Sequence, residues 1–303
     1  MAAVDILAAF GYKWAETGTV EALDDAQYKA GWAFIGATPP SVEQFNKVHQ
    51  IADEKANYLY AQMLSVFNAA GEVPSPGDTN SLRDAIAAIY GGGRLINVQT
   101  FSANGTYTPT PGTKRIYVRG QAPGGAGGGA PATGAGQVSI GSGGSAGSYG
   151  EGWYAVPGAP VTVTAPAGPA GSLGVTGTAG SAASFGSLMT LPGGPGGTAA
   201  GPSNPPYPPT GVAGSTLPAG ANVLSAGGAP GGTAVAIALN SVVGGVGGVS
   251  HLGAGASASV VGVNGVPATS RGGGGGGTAQ GPSSAALTGG KGGDAYFIVL
   301  EFA

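Results

Sequence analysis

Between Gly168 and Gly180 glycine occupies every third position, in the run Gly168-Pro169-Ala170-Gly171-Ser172-Leu173-Gly174-Val175-Thr176-Gly177-Thr178-Ala179-Gly180. Three residues per turn is the repeat of the polyproline-II helix, which makes no hydrogen bonds within itself. If buried, such a helix must bond sideways to its neighbours, and glycine on the crowded face lets two backbones come close enough to do so. Collagen shares the repeat, but here the period is lost at Ala183 and never returns for long, which argues against a triple helix.

Glycine and proline contribute 63 and 23 of the 303 residues. Without a strict period, that level usually marks a low-complexity or disordered chain. Disorder, however, goes with low hydrophobicity and high net charge, whereas this chain is 8% charged with a mean hydropathy of +0.17. The expectation is an ordered fold held by backbone hydrogen bonds and close packing. No cysteine is present, so disulfides and thiolate metal sites are excluded.

Charge divides the chain. Residues 1–90 carry 11 acids against 5 Lys or Arg, a net −6, and residues 91–303 carry 3 against 6, a net +3. Lys114, Arg115 and Arg119 form the one cluster of cations, too few for sequence-independent binding to nucleic acid, and they read as a solvated strand edge. Met1 to Phe10 is apolar but short, contains Asp5 and lacks a basic flank, so it makes a poor signal peptide. The longest apolar stretch, around Ala234 to Val243, contains Asn240 and Ser241 and then meets Gly244, which is no membrane helix. A soluble protein made in the cytosol is expected.

Thr38-Pro39-Pro40-Ser41-Val42-Glu43-Gln44 is a helix-start signal, with Ser41 and Gln44 at capping-box spacing. Phe45, Val48, Ala52, Leu59, Met63 and Val66 then form an apolar stripe from about 42 to 69. Four of them share a heptad position while Lys55 and Gln62 interrupt the second seam, leaving a coiled coil and an ordinary packed helix both open. A second helix is predicted from about 79 to 90, with Leu82, Ile86 and Ile89 on one face, before Gly91-Gly92-Gly93 breaks it. The period then changes to two in Leu95 to Phe101 and Lys114 to Arg119, with Asn104-Gly105 as a tight turn between. Further strands are predicted at 152–156, 161–165 and 295–302. The resulting fold class is α+β multidomain. A helical N-terminal attachment region over 1–92 precedes a glycine-rich β domain with polyproline/polyglycine-II-like segments over 93–303.

Catalytic groups are scarce. His251 lies in Val249-Ser250-His251-Leu252-Gly253 with no acid nearby in sequence, and His49 falls on the long helix. No catalytic residue, cofactor or metal site is expected. Gly272 to Gly277 after Arg271 lacks the Lys-Ser/Thr of a phosphate loop and reads as a connector or another extended helix. Loops that set larger side chains among small ones are the candidate contacts: Asn204 and Tyr207 in the stiff Pro202-Ser203-Asn204-Pro205-Pro206-Tyr207-Pro208-Pro209, then His251 and Asn264.

Two segments resemble a known family. Gly31-Trp32-Ala33-Phe34-Ile35-Gly36-Ala37-Thr38-Pro39-Pro40-Ser41-Val42-Glu43-Gln44-Phe45-Asn46, continuing into Asp53-Glu54-Lys55-Ala56-Asn57-Tyr58-Leu59-Tyr60, is similar to the N-terminal region of tail fibre proteins of tailed bacteriophages and prophages. Phe101-Ser102-Ala103-Asn104-Gly105-Thr106-Tyr107-Thr108-Pro109, the glycine tracts, Ala183 to Leu188 and Gly292 to Val299 resemble the glycine-rich domain at the tip of such fibres. The chain departs from the pattern at Gln121-Ala122-Pro123 and in the Pro-rich insertion near Tyr207. The resemblance implies a non-enzymatic virion protein. Its N-terminus would attach to tail or baseplate proteins, and its glycine-rich part would meet a host receptor such as a pilus, outer-membrane protein or glycan. A homotrimer assembled through residues near 42–69 is expected, with a monomer as the alternative. Rival readings are a structural fibre component, an ice-binding or cell-wall protein, and a depolymerase. The last needs paired carboxylates, and Glu151, Asp294 and Glu301 are few and scattered.

Overall fold

A computed structural model describes residues 11, 13–70, 85–86 and 93–303, which fall in two compact units, Met1–Arg94 and Leu95–Ala303. In the first, Asp24 caps helix α1 (Asp25–Ala30) in a capping box with Gln27, and a 3-10 turn (Gly31–Ile35) follows. Helix α2 (Val42–Ala70) starts at a second box, where Ser41 Oγ accepts from Gln44 N and Gln44 Oε1 accepts from Ser41 N, each at 3.1 Å. Residues 13–21 are strapped to α2 by polar contacts. Trp14 N donates to Asp53 at 2.6 Å, Trp14 Nε1 to Asn46 at 3.0 Å, and Gln50 Nε2 to the Ala15 carbonyl at 3.1 Å. Trp32, Phe45, His49 and Trp14 form a continuous row of ring contacts with centroids 5.4, 5.9 and 5.4 Å apart, the first two stacked and the last tilted.

The second unit is built from fifteen strands. They are β1 (Leu95–Phe101), β2 (Gly105–Tyr107), β3 (Arg115–Gln121), β4 (Val138–Gly141), β5 (Tyr149–Ala155), β6 (Val161–Thr164), β7 (Ala183–Phe185) and β8 (Met189–Leu191). The remainder are β9 (Ala199–Ser203), β10 (Tyr207–Val212), β11 (Leu224–Ala226), β12 (Gly231–Ala238), β13 (Ser241–Val243), β14 (Ala279–Gln280) and β15 (Tyr296–Phe302). A five-stranded sheet, β1-β15-β3-β5-β11, packs on a four-stranded one, β2-β6-β7-β8. Ile116, Val118, Phe297 and Val299 meet Tyr107, Val163, Phe185 and Leu191 in a core closed to solvent. At about 1.5–3 kcal/mol per buried large side chain, this is the main apolar contribution of the unit. Two three-stranded sheets, β14-β4-β9 and β10-β12-β13, enclose a smaller core of Val138, Ile140, Ala234, Ala236, Val242 and Ala279.

Between these two sheet pairs the chain runs in extended segments that bond sideways to one another and to the strands that flank them. Along residues 124–130 the amide partners rotate with a period of three. Gly124, Gly127 and Ala130 donate to Gly293, Gly290 and Leu287; Gly125 and Gly128 to Ser145 and Ser142; Ala126 and Gly129 to Thr178 and Val175, all at 2.8–3.1 Å. Residues 192–198 and 272–278 complete the surround, through Gly194 N to Pro123 O and Gly275 N to Gly125 O, each at 2.9 Å. A threefold rotation of donors among neighbours is what a three-residue helix dictates once its bonds must be lateral. Residues 121–130, 138–150 and 272–280 are buried throughout, so the middle of the unit is a lattice of backbone with almost no side chain in it. The glycine run from 168 to 180 does not form one helix. Gly174, at φ +67°, turns the chain, and the halves on either side run antiparallel as two separate segments.

These findings correct the fold class. The α+β multidomain expectation gives way to a mainly β chain, with fifteen strands against two α-helices among the described residues. Nor is the N-terminal region a helical domain. Residues 13–24 run as turns and extended chain, and among its described residues α2 buries only Gln44, Gln50 and Phe67. The helix predicted over 79–90 lies outside the described residues apart from Ala85 and Ile86.

Candidate functional site

The lattice separates two ends of the second unit. Residues 142–148 connect β4 to β5, and eight steps at about 3.1 Å set the two sheet pairs roughly 25 Å apart. The chain enters this unit through β1, in the larger sandwich. The far end, the tip, is made of the smaller sheets and the loops around them. Thr133 N donates to the Ser284 carbonyl at 2.9 Å and Ser283 N to that of Gly134 at 3.0 Å, which laces two of these loops together. Residues 130–141, 199–212, 231–243, 260–266 and 279–288 contain no Asp, Glu, Lys or Arg. What the tip exposes is aliphatic, notably Val260, Val261, Val263, Ile237 and Leu239, mixed with hydroxyl and amide side chains.

The candidate contacts are not gathered into one place. Asn204 is exposed beside β9 at the tip. Tyr207 is half-buried; its ring packs on the Val138 core and its hydroxyl donates to the Val138 carbonyl at 3.2 Å. Burial pushes its phenol above the ordinary range. Asn264 lies exposed in the tip, where its Oδ1 accepts from Thr288 N at 2.9 Å. His251 sits at the opposite end of the lattice, stacked on Tyr149 with ring centroids 4.8 Å apart and planes within 5°. In the first unit Phe45, Ala52, Leu59 and Met63 are exposed on α2, and Val48 and Val66 are half-buried.

A cluster that no sequence motif announces lies on the outer face of the five-stranded sheet. Pairing of β3 with β5 sets Tyr117 opposite Trp153 and Arg119 opposite Glu151. Glu151 accepts from the Tyr117 hydroxyl and, at 2.5 Å, from that of Tyr149, while Arg119 Nε lies 3.3 Å from it. Burial and the adjoining carboxylate push both phenols up to about 12. Burial alone would raise Glu151, yet the two phenols and the guanidinium outweigh it and hold the carboxylate below its ordinary range. With its oxygens occupied, the carboxylate orders this face. Arg115 lies over the Trp153 ring at 4.8 Å, which adds a cation–π contact. Tyr149 and Glu151 share one strand, and the strand register brings Tyr117 and Arg119 to them from about thirty positions away.

Among the described residues no three His, Asp or Glu gather to hold a metal, and no helix is long and apolar enough to cross a membrane. No protein-family model matches the sequence, and no curated protein matches it.

Proposed function

We propose that the chain is a phage tail fibre protein that attaches to the tail or baseplate through its N-terminal unit and binds a host-surface receptor through the tip of its glycine-rich unit. The observation that carries this reading is the uncharged, aliphatic tip, held about 25 Å from the sandwich where the chain enters, on a lattice of backbone hydrogen bonds. Loops fixed on such a scaffold lose little entropy on binding. Exposed Val and Ile beside Asn and Ser suit a protein surface, with a pilus or an outer-membrane protein as the receptor class. The exposed positions of the α2 stripe, Phe45, Ala52, Leu59 and Met63, would be covered in a homotrimer or against a tail protein. Recognition on this reading is non-covalent, and the protein is part of the virion.

The test is binding of the purified full-length chain to intact bacterial cells, with competition against phage adsorption and a parallel assay for released sugar. Saturable binding that blocks adsorption without sugar release is the expected result. Absence of binding would favour a structural fibre component, and released sugar would overturn the non-enzymatic reading.

A further inference from the structure

The second unit contains eight Asp, Glu, Lys and Arg residues, and three of them, Arg271, Lys291 and Asp294, meet in one recess. It lies at the sandwich end of the lattice, where the chain enters segment 272–278 and where segment 287–295 runs into β15. Its volume is about 270 Å³ and its walls are mostly polar, Thr269 and Ser270 included. That is close to the lower bound of small-ligand pockets, and suits one sugar ring.

Two cations face one anion in it. Lys291 Nζ is 2.8 Å from Asp294 Oδ1, and Arg271 Nη1 is 3.7 Å from Asp294 Oδ2. Gly168 N also donates to Asp294 Oδ1, at 2.8 Å. Burial would raise the Asp294 carboxyl, but Lys291, Gly168 N and Arg271 together hold it below its ordinary range, so it stays ionised beside them. One positive charge is left over. The backbone carrying these side chains is fixed: the Arg271 carbonyl accepts from Ser250 Oγ at 2.6 Å, Gly272 N donates to the Asp294 carbonyl at 2.9 Å, and Gly293 N to that of Gly273 at 2.7 Å. The Arg271 guanidinium lies 5.4 Å from the Tyr296 ring centroid, a contact that orients its plane.

We propose that this recess binds a sugar bearing a carboxylate or phosphate group, with the acid between Arg271 and Lys291 and a ring hydroxyl donating to Asp294. A bare anion meets the repulsion of Asp294, and a neutral sugar leaves the surplus cation unused. A ligand with both an anionic group and hydroxyls answers both. Charge-assisted bonds from Arg and Lys to such groups are among the stronger polar contacts. The site is separate from the tip and does not depend on how the tip is used.

Saturation-transfer NMR on the full-length protein tests it, with glucuronic acid, glucose 6-phosphate, glucose and inorganic phosphate as probes. Transfer to glucuronic acid or to glucose 6-phosphate is expected, and which of them is favoured distinguishes carboxylate from phosphate. Glucose and inorganic phosphate should each bind about tenfold more weakly than the favoured acid sugar. R271A and K291Q should each weaken binding about tenfold. Lys291 donates no backbone bond to the lattice core, so K291Q keeps the test valid if R271A unfolds. Equal transfer to glucose, no transfer to either acid sugar, or unchanged binding in K291Q would overturn the proposal.

Discussion

Replacing Gly127 by alanine tests whether the lattice carries the fold. A Cβ added there would sit 2.0 Å from the Gly276 carbonyl oxygen and 2.4 Å from its carbon. Carbon and oxygen approach no closer than about 3.3 Å in ordinary contacts, so segment 272–278 would have to retreat by roughly 1.3 Å. That segment bonds to 122–130 through Gly275 N at 2.9 Å and Thr278 Oγ1 at 3.1 Å. Stretched to about 4 Å these are no longer hydrogen bonds. The segment cannot move freely on its other side either, since Gly274 N and Gly277 N donate to Gly248 and Gly245 at 2.9 and 2.8 Å. Two buried bonds lost, at about 1–3 kcal/mol for each donor left unpaired, put the cost of G127A at about 2–6 kcal/mol. Gly158 is the control: it is exposed, and an added carbon would meet nothing within 4 Å. G158A should change stability by about 0.5 kcal/mol or less. Urea unfolding followed by tryptophan fluorescence, with amide exchange at Gly275, reads both variants. A G127A protein within about 1 kcal/mol of the parent, with the Gly275 amide still protected, would refute the claim that the lattice leaves no room for a side chain.

Three further perturbations follow from specific contacts. Glu301 is fully buried without a cation, and accepts from Tyr107 at 2.7 Å, from Thr110 N and Oγ1 at 2.9 and 2.6 Å, and from Gln99 at 3.3 Å. Burial would raise it, but these donors hold it below its ordinary range. Its contribution is therefore complete above the unfolded carboxylate pKa of about 4.3 and is lost as pH falls through the folded value. E301Q should cost about 2 kcal/mol at pH 7. The gap between parent and E301Q urea midpoints should then close from pH 5 downwards, whereas a constant gap would contradict this. Y207F removes the bond to Val138 O, and should lower stability by about 1 kcal/mol in thermal melts while leaving cell binding unchanged; a loss of binding would make the phenol a contact. Leu59, 62% exposed, and Met63 can be replaced together by Asp without disturbing a core. If α2 is the assembly seam, sedimentation velocity should show the variant as monomer beside an oligomeric parent, and identical profiles would remove that role.

Local signals were the readable ones. The Ser41–Gln44 box spans one turn, and β1, β3 and β15 announce themselves by alternation, although the spacing cannot say that β15 lies between the other two. The balance of the fold was misjudged because helical periodicity is conspicuous over 42–70, whereas strands such as β4 and β14 are four and two residues long and made of small side chains. A three-residue glycine spacing announces a type of helix but not its ends. Gly174 occurs on schedule and nonetheless turns the chain at φ +67°. Tyr207 looked like a presented ring because prolines flank it. The tip core around it consists of Val, Ile and Ala, and the tyrosine ring fills it. The Glu151 and Asp294 clusters were illegible for another reason: Tyr149 and Lys291 lie close in sequence to the acids they touch, but Tyr117, Arg119 and Arg271 reach them only through strand register and lattice order.

A framework held by its backbone divides labour among residues in an unusual way. In most domains the side chains that pack the core also constrain the loops above it, so changing a loop tends to disturb the packing. Here the central segments contribute Gly, Ala and Ser, and their order comes from amide bonds that do not depend on side-chain identity. The requirement falls on positions such as Gly127, where any side chain collides with a neighbouring carbonyl. The tip loops are released from it, apart from a few anchors such as Tyr207 and Val138. Substitutions at Asn204, Val260 or Val261 should therefore alter what the tip touches while leaving the lattice intact. On the proposed reading, that is the property a receptor-binding tip needs when receptors change faster than the scaffold can be rebuilt. The charged groups of the unit lie away from the tip, at the sandwich, where Arg119 with Glu151 and Arg271 with Lys291 and Asp294 add a second chemistry that the tip lacks.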